Sequence, residues 1–288
     1  MISIIICSKS HDLLKKISLN IADTIGVSYE IIPILNPHGK FGICKAYNDG
    51  ASQAVYDILC FCHEDILFHN INWGKNLIEH LSNRTISLVG VLGCVVKTKA
   101  PSGAYISQKN LNRINQIQRL PDDTTIHYYE NPKNEAVSEV SILDGMFLSC
   151  TKSNWQRKKF DENLKGFHGY DIDFSLSQKE NGTILVVYDI LLEHFSSGGN
   201  SRTWIDAQLF VTEKWKNRLP VVQKDITLTM LKKAEIENLN TFTISLIKHK
   251  YAKKETVLNI SRIIFAKPFQ RLNLFFIKQL FRFLYNGD

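Results

Sequence analysis

Residues 58–65 read ILCFCHED, so that five apolar residues lead directly into three polar ones. A continuous apolar run predicts a strand buried on both faces, as in a parallel sheet, rather than a strand with one wet face. Two carboxylates and an imidazole at the exit of a buried strand are costly unless they are paired, hydrogen-bonded or bound to a cation. The stretch therefore predicts an α/β protein with a polar site at the end of a central strand; a solvated turn is the alternative.

The segments before this strand support the same fold. Residues 2–7 form a β-branched run, apolar residues recur at helical spacing over 12–25, and residues 29–35 are strand-like again. A helix with small residues on its packed side is predicted at 43–56. This alternation predicts a mostly parallel sheet flanked by helices, with ligands beyond the carboxyl ends of the strands.

Later segments continue the alternation with one polar interruption. The pattern predicts helices at 73–81, 170–181 and 204–215, strands at 87–96, 140–150 and 183–188, and a loop or short hairpin covering a site at 101–134.

The composition is that of a globular protein. The chain has 288 residues, 44% of them hydrophobic, and a formal net charge of +7, which excludes disordered and low-complexity classes. Its six cysteines are scattered without CxxC pairs, which predicts reduced thiols in a cytoplasmic protein. The longest charge-free apolar stretch is too short to span a bilayer, and the first residues lack the features of a secretory signal.

The excess of positive over negative charge lies in the last quarter of the chain. Residues 1–220 contain 23 basic and 23 acidic residues, whereas residues 221–288 contain 12 and 5. Charge alone fits nucleic acid, an anionic membrane or phosphorylated ligands. Because the basic residues do not cluster in the α/β part, nucleic-acid binding is the weakest of these readings. We predict one α/β domain over 1–220 and a basic helical extension over 221–288.

The extension ends in an amphipathic segment. A helix over 269–285 places Arg271, Lys278 and Arg282 on one narrow face beside an aromatic-rich apolar surface. This arrangement is typical of a helix lying on anionic lipid, so residues 257–285 are a candidate membrane contact. Packing on the rest of the protein, or a dimer contact, is the alternative, and the oligomeric state stays open.

Two further groups of residues carry candidate chemistry. His194 follows a predicted strand, as Asp65 does, and the two would make a divalent-metal site if they meet. Asp171 and Asp173 stand where a helix begins, and there the macrodipole favours carboxylates. One of the two is a candidate general base, and their spacing does not decide which.

An ordered set of motifs resembles a known family. The motifs are SIIICS at 3–8, AYNDGA at 46–51, LCFCHED at 59–65, LDG at 143–145, FHGYDID at 167–173 and EH at 193–194. In this order they resemble the GT-A nucleotide-sugar transferases of glycosyltransferase family 2. The likeness is greatest to the bacterial family 2-like branch with His-x-Asp in place of Asp-x-Asp, and it covers roughly residues 1–215.

The resemblance implies a GT-A, Rossmann-like fold and a glycosyltransferase of hexosyltransferase type. It implies transfer from a nucleotide-diphosphate sugar, with UDP-sugars favoured, to a glycan or lipid-linked glycan hydroxyl. The reaction would be inverting and assisted by Mg²⁺ or Mn²⁺. It also implies a role in bacterial surface polysaccharide or lipopolysaccharide synthesis, in the cytoplasm or peripherally on the inner membrane face.

Site roles follow from the same resemblance, position by position. Cys7 and Ser8 would lie by the nucleoside, and Asn36 stands where the family has an Asp against the base or ribose. Lys45 and Asn48 would lie on a helix that borders the nucleotide.

The remaining roles concern the diphosphate, the sugar and the acceptor. Asp65 matches the metal-binding last Asp of the motif, His63 takes the place of the first, and His194 would complete the metal shell. Asp144 would face the donor sugar. Asp171 matches the catalytic base, with Tyr170 where the family has a Glu.

Two alternatives to a metal-assisted transferase remain. Asn36 and His63 replace carboxylates of the family pattern, which favours a metal-independent transferase of the same fold as one rival. A non-catalytic nucleotide-sugar-binding protein is the other.

Overall fold

The computed structural model describes residues 1–196 and 199–285, so the last three residues of the predicted extension lie outside it. The strands are β1 Ile2–Ser8, β2 Tyr29–Leu35, β3 Ile58–Cys62, β4 Ile66–Phe68, β5 Ile86–Gly90, β6 Leu92–Cys94, β7 Val96–Lys97, β8 Asn112–Arg119, β9 Thr125–Glu130, β10 Val137–Glu139, β11 Ile142–Leu143, β12 Phe147–Thr151, β13 Thr183–Val187, β14 Leu192–His194 and β15 Val221–Val222. The helices are α1 His11–Thr24, α2 Ile43–Gln53, α3 Trp73–Ser82, α4 Lys152–Arg157, α5 Tyr170–Gln178, α6 Arg202–Trp215, α7 Leu228–Lys248, α8 Lys253–Ala266 and α9 Leu272–Tyr285.

A seven-stranded sheet forms the centre of the protein, in the order β10-β13-β5-β12-β3-β1-β2. The strands β2, β1, β3, β5 and β13 run in one direction, and β12 and β10 run in the other. The predicted α/β architecture with a mostly parallel sheet is confirmed. Burial explains the central position of β1 and β3, because every residue of the two strands except Cys7 and Ile58 is buried.

Two predicted strands are divided in the structure. The segment 87–96 breaks into β5, β6 and β7, and 140–150 breaks into β11 and β12. At Gly93 a Cβ would lie 2.4 Å from the carbonyl oxygen of Ile142, so only glycine allows this close approach. The chain can therefore leave the central sheet after β5 and enter a second one.

The second sheet has the order β11-β6-β8-β14-β4, with β9 paired to β8. The β8–β9 pair is the hairpin that was one of the two predictions for 101–134. The strand β3 leads into β4, and β13 leads into β14. Because β14 runs antiparallel to β4, with His194 opposite Ile66, the end of β14 lies beside the polar residues that join β3 to β4.

The C-terminal helices are attached to the α/β part by a short strand pair and by hydrogen bonds. β15 pairs with β7, and Glu235 of α7 accepts hydrogen bonds from the backbone N–H groups of Lys99 and Ala100. Phe276 of α9 is buried against Ala100 and α8. None of the helices within the described residues is long and apolar enough to cross a bilayer. The boundary at residue 220 stays a prediction.

Candidate active site

The ends of β1 and β2 lie side by side. The backbone N–H of Asn36 donates to the carbonyl of Ser8 at 2.7 Å, and the Asn36 side-chain amide donates to the carbonyl of Phe41 at 2.8 Å. Burial raises the pKa of Cys7, so its thiol is neutral at pH 7. The buried Oδ1 of Asn36 has no hydrogen-bond partner among the described residues, which leaves an acceptor for a ligand at the predicted nucleoside position.

Glu64 joins the loop after β1 to the end of β3. Its carboxylate accepts a hydrogen bond of 2.6 Å from the hydroxyl of Ser8, and further bonds of 3.3 and 3.1 Å from the backbone N–H groups of Lys9 and Ser10. The residue is buried, so these bonds offset the cost of enclosing its charge. No role was predicted for Glu64 from the sequence, although it lies within the stretch 58–65.

The two predicted residues of α2 differ in their surroundings. Lys45 is half exposed and pairs with Asp49 one turn along the helix. Asn48 is buried, where its amide nitrogen donates to the carbonyl of Phe160 and to Glu162, and its oxygen accepts from Trp155 and the N–H of Phe160. The Asn48 side chain thus holds the segment after α4. The roles of Lys45 and Asn48 at the nucleotide stay predictions.

His63, Asp65 and His194 come together. The Oδ1 of Asp65 lies 3.7 Å from Nδ1 of His63 and 3.7 Å from Nε2 of His194. One ligand atom of each of the three residues lies within 4.8 Å of those of the other two. Burial lowers the pKa of His63, which favours the neutral imidazole that a metal needs.

This donor set suits a divalent transition ion. Two imidazoles and one carboxylate are the mixed nitrogen and oxygen ligands that Mn²⁺, Fe²⁺ and Zn²⁺ accept, whereas Mg²⁺ prefers oxygen ligands alone. The three residues therefore fit Mn²⁺ better than Mg²⁺. His63, which the resemblance placed beside the metal ligands, is in position to be one of them.

Asp171 begins α5 and faces Asp144. The backbone N–H of Gly145, next to Asp144, donates to the Asp171 carboxylate. Burial, and then the negative charge of Asp144, raises the pKa of Asp171 to about 7. A carboxyl group with this pKa is matched to taking up a proton near neutral pH. This is the site of the predicted base.

Asp173 has a different environment although it lies only two residues farther on. It accepts a hydrogen bond of 2.7 Å from Nε1 of Trp215 and pairs with Lys214 at 2.8 Å. Its carboxylate is buried between α5 and α6. The structure thus separates two residues that sequence spacing left equivalent.

A partly buried ion pair involves Glu193, the residue before His194. Glu193 pairs with Arg119 of β8 at 2.5 Å and accepts from Nε2 of His69 at 2.9 Å. His194 itself contacts the hydroxyl of Ser196 at 3.1 Å. Glu193 belongs to the motif at 193–194, but its pairing with Arg119 was not predicted, since no local pattern relates residues on separate strands.

A cavity of about 390 Å³ opens beside these groups. It is lined by Leu92, Tyr105, Ile114, Gln116, Gln118, Leu120, Tyr128, Asp144, Met146, His194 and Ser196. Its wall is formed in part by the β8–β9 hairpin, as expected for a segment that covers a site. Its size is within the range of small-molecule sites.

A sequence profile described as "Glycosyltransferase like family" matches residues 3–219. The chain belongs to this family. Membership confirms the resemblance and, at the level of the family, the expected enzyme class. A search of curated protein sequences finds no match.

Solved structures of glycosyltransferases have the same fold. GalNAc-T7 with UDP, GalNAc and Mn²⁺ aligns with a TM-score of 0.53 and 13% identity, over 76% of this chain and 48% of that one. The chain thus spans about half the length of GalNAc-T7. Residues 1–349 of S. aureus TarS align with a TM-score of 0.52 and 13% identity, over 93% of this chain and 81% of that one. These likenesses confirm the GT-A fold of this family member.

Proposed function

We propose that this family member transfers a sugar from a nucleotide-diphosphate donor to an acceptor hydroxyl with inversion, using Asp171 as the general base. The observation that carries the proposal is the Asp171 carboxyl group, whose pKa is about 7, beside Asp144 at the sugar-sized cavity. A base with this pKa is half ionised at neutral pH and can remove the acceptor proton as the hydroxyl attacks the anomeric carbon.

The ligand set supports use of a divalent ion. His63, Asp65 and His194 would hold it, and the bound ion would supply positive charge to the donor diphosphate as it departs. Three protein ligands leave coordination positions for phosphate oxygens. GalNAc-T7, whose structure holds UDP and Mn²⁺, makes a UDP-sugar and Mn²⁺ the first pair to test.

The cavity is suited to a sugar ring. Tyr105 and Tyr128 offer aromatic faces, and Asp144 offers a carboxylate that accepts hydroxyl hydrogen bonds. Asp144 and His194 line the same cavity, so a sugar there would lie between the proposed base and the proposed metal ligands. We propose that Asp144 binds the donor sugar and that the hairpin side receives the acceptor.

A melting screen with UDP-, GDP- and dTDP-sugars tests the donor. A ligand that binds only the folded state raises the melting temperature, and we expect the largest rise with a UDP-sugar and Mn²⁺. Release of nucleoside diphosphate with added glycan acceptors then tests transfer. An equal rise in EDTA would favour the metal-independent transferase, and binding without transfer or hydrolysis would favour the non-catalytic protein.

We also propose that α9 contacts an anionic membrane, which suits a lipid-linked glycan acceptor in surface polysaccharide or lipopolysaccharide synthesis. Phe276 packs inward, but Phe269 and Leu274 are 99% and 76% exposed beside exposed basic residues. Apolar and basic groups on one surface favour binding to anionic lipid.

Co-sedimentation of the full chain with vesicles of phosphatidylcholine and phosphatidylglycerol tests this contact. We expect Phe269→Ser/Leu274→Ser to reduce pelleting and Val55→Ser/Ile71→Ser, which changes two other exposed apolar residues elsewhere, to leave it unaltered. Equal pelleting of both double variants would contradict the proposed membrane contact.

A further inference from the structure

Tyr170 connects the end of β3 to the turn after Asp144. Its hydroxyl lies 2.7 Å from Nε2 of His63 and 3.1 Å from the carbonyl oxygen of Gly145. The ring is 4% exposed. This contact joins positions 63 and 170, which are two of the three positions, with 36, at which the chain departs from the carboxylates of the family pattern.

Only one order of donors satisfies both contacts of the Tyr170 hydroxyl. A carbonyl oxygen only accepts, so the single hydroxyl proton of Tyr170 is directed to Gly145. The hydroxyl oxygen is then the acceptor for His63, whose Nε2 carries the proton. In a neutral imidazole with hydrogen on Nε2, the lone pair is on Nδ1. That nitrogen is the one 3.7 Å from Oδ1 of Asp65.

The Tyr170 hydroxyl has little freedom to move. A Cβ at position 145 would lie 2.1 Å from the hydroxyl oxygen, so the close approach depends on glycine there. The ring packs edge-on against Tyr47, with centroids 5.7 Å apart, and against Phe160. A side chain held in this way can fix the orientation of the imidazole it contacts.

Tyrosine also accepts this hydrogen bond without adding charge. A carboxylate at position 170 would lie next to Asp171, which already faces Asp144. A third negative charge would oppose ionisation of the pair. A neutral hydroxyl positions His63 and adds no negative charge beside Asp144 and Asp171.

We propose that Tyr170 is a positioning residue that holds His63 with its proton on Nε2, so that Nδ1 serves as a third metal ligand beside Asp65 and His194. The departures from the family pattern at positions 63 and 170 are then one paired change. The inference rests on the metal use proposed above, but its first test needs neither metal nor donor.

That test is the tautomer of His63 in metal-free protein. Two-dimensional ¹H–¹⁵N spectra of protein labelled on histidine, recorded at pH 8, distinguish a proton on Nε2 from one on Nδ1, and His63→Ala assigns the signal. We expect the Nε2–H form in the wild type, a mixture in Tyr170→Phe, and the wild-type pattern in Tyr188→Phe, which removes a partly buried hydroxyl that bonds to Ser138 and to the carbonyl of Glu130 rather than to His63. A wild-type His63 with its proton on Nδ1 would overturn the proposal.

The second test is Mn²⁺ affinity, measured by electron paramagnetic resonance of the free ion. Loss of a hydrogen bond to a ligating histidine commonly weakens binding 10- to 100-fold, so we expect at least a tenfold loss in Tyr170→Phe and under twofold in Tyr188→Phe. In the His63→Ala background Tyr170→Phe should have no further effect. An equal loss in that background would show a general structural role and contradict the inference.

Failure of this inference can be told from failure of the proposed function. If the wild type binds no Mn²⁺ yet transfers sugar in EDTA, the assignment of Nδ1 as a ligand is overturned while the transferase activity stands. If Mn²⁺ binds with the expected dependence on Tyr170 but no sugar is transferred, the transferase proposal fails and the positioning role stands.

Discussion

Asp173 accepts a 2.7 Å hydrogen bond from Nε1 of Trp215, and this contact gives the two carboxylates at the start of α5 different roles. Asp173 joins α5 to α6, whereas Asp171 lies beside Asp144, which lines the cavity. The difference leads to separable effects of substitution.

Asp171→Asn should lower the rate of transfer about 10²- to 10⁴-fold, the usual contribution of a general base, because an amide does not take up the acceptor proton. Calorimetry should show donor affinity within a few-fold of the wild type. The matched control is Asp173→Asn, which should keep most of its transfer rate per folded molecule. An Asp171→Asn enzyme with full activity would remove this residue from the role.

Asp173→Asn should instead lower the free energy of unfolding by about 1–3 kcal/mol, because Lys214 loses a buried partner and the hydrogen bond from Trp215 loses its charge. Urea unfolding followed by tryptophan fluorescence measures the loss. Glu213→Gln on the exposed side of α6 is the control and should change stability by under about 0.5 kcal/mol. Equal stability of the two variants would contradict the structural role.

The pH dependence follows from the raised pKa of Asp171. The base must be ionised, so kcat should rise with pH and level off above about 7. Folding has the opposite dependence: between the ordinary carboxyl range and about pH 7 the folded state holds a proton that the unfolded state has released, so stability falls as pH rises. Asp171→Asn should therefore melt at a higher temperature than the wild type at pH 8, and the gain should shrink toward pH 4. A pH-independent difference in melting temperature would contradict the raised pKa.

Asp65→Ala should weaken donor binding in a metal-dependent way, because it removes the carboxylate shared by both histidines. Calorimetric titration with a UDP-sugar should show a large loss in Mn²⁺ and little change in EDTA. Asp189→Asn, which alters another carboxylate paired with a histidine, His80, should behave as the wild type. If wild-type donor affinity is the same in EDTA and in Mn²⁺, the metal proposal fails.

Glu64→Gln should loosen the loop after β1. One carboxylate oxygen becomes an NH2 group, which cannot accept hydrogen bonds, so either the bond from Lys9 or those from Ser8 and Ser10 are lost. A hydrogen bond to a charged group contributes about 1.5–3 kcal/mol. We expect faster amide exchange at residues 9 and 10 and a roughly tenfold higher donor KM, with kcat less affected. Unchanged exchange at these two amides would exclude the anchoring role.

The sequence predicted the bounds of two strands of the central sheet. Strands 29–35 and 58–62 begin and end as predicted, because apolar-rich runs and the adjacent turns define them locally. The insertion of β12 between β3 and β5 was not predicted, since strand order depends on contacts between residues far apart in the chain.

The same limit applies to the site. The sequence pointed to the polar residues after β3 and β14 and to the carboxylates of α5. The hydrogen bond between His63 and Tyr170 spans 107 positions, and the ion pair of Arg119 with Glu193 spans 74. No periodicity relates such residues, so their pairing is visible only once the sheets are assembled.

The pairing of β15 with β7 affects how far the cavity lies from a surface that holds α9. The strand β7 leads into the loop that contributes Tyr105 to the cavity, and Glu235 ties the same loop to α7. The C-terminal helices are thus joined to the cavity wall by a strand pair and hydrogen bonds as well as by the chain itself. A surface that holds α9 would set the height and direction of the cavity mouth, so the fold itself would determine how far from that surface an acceptor hydroxyl can be.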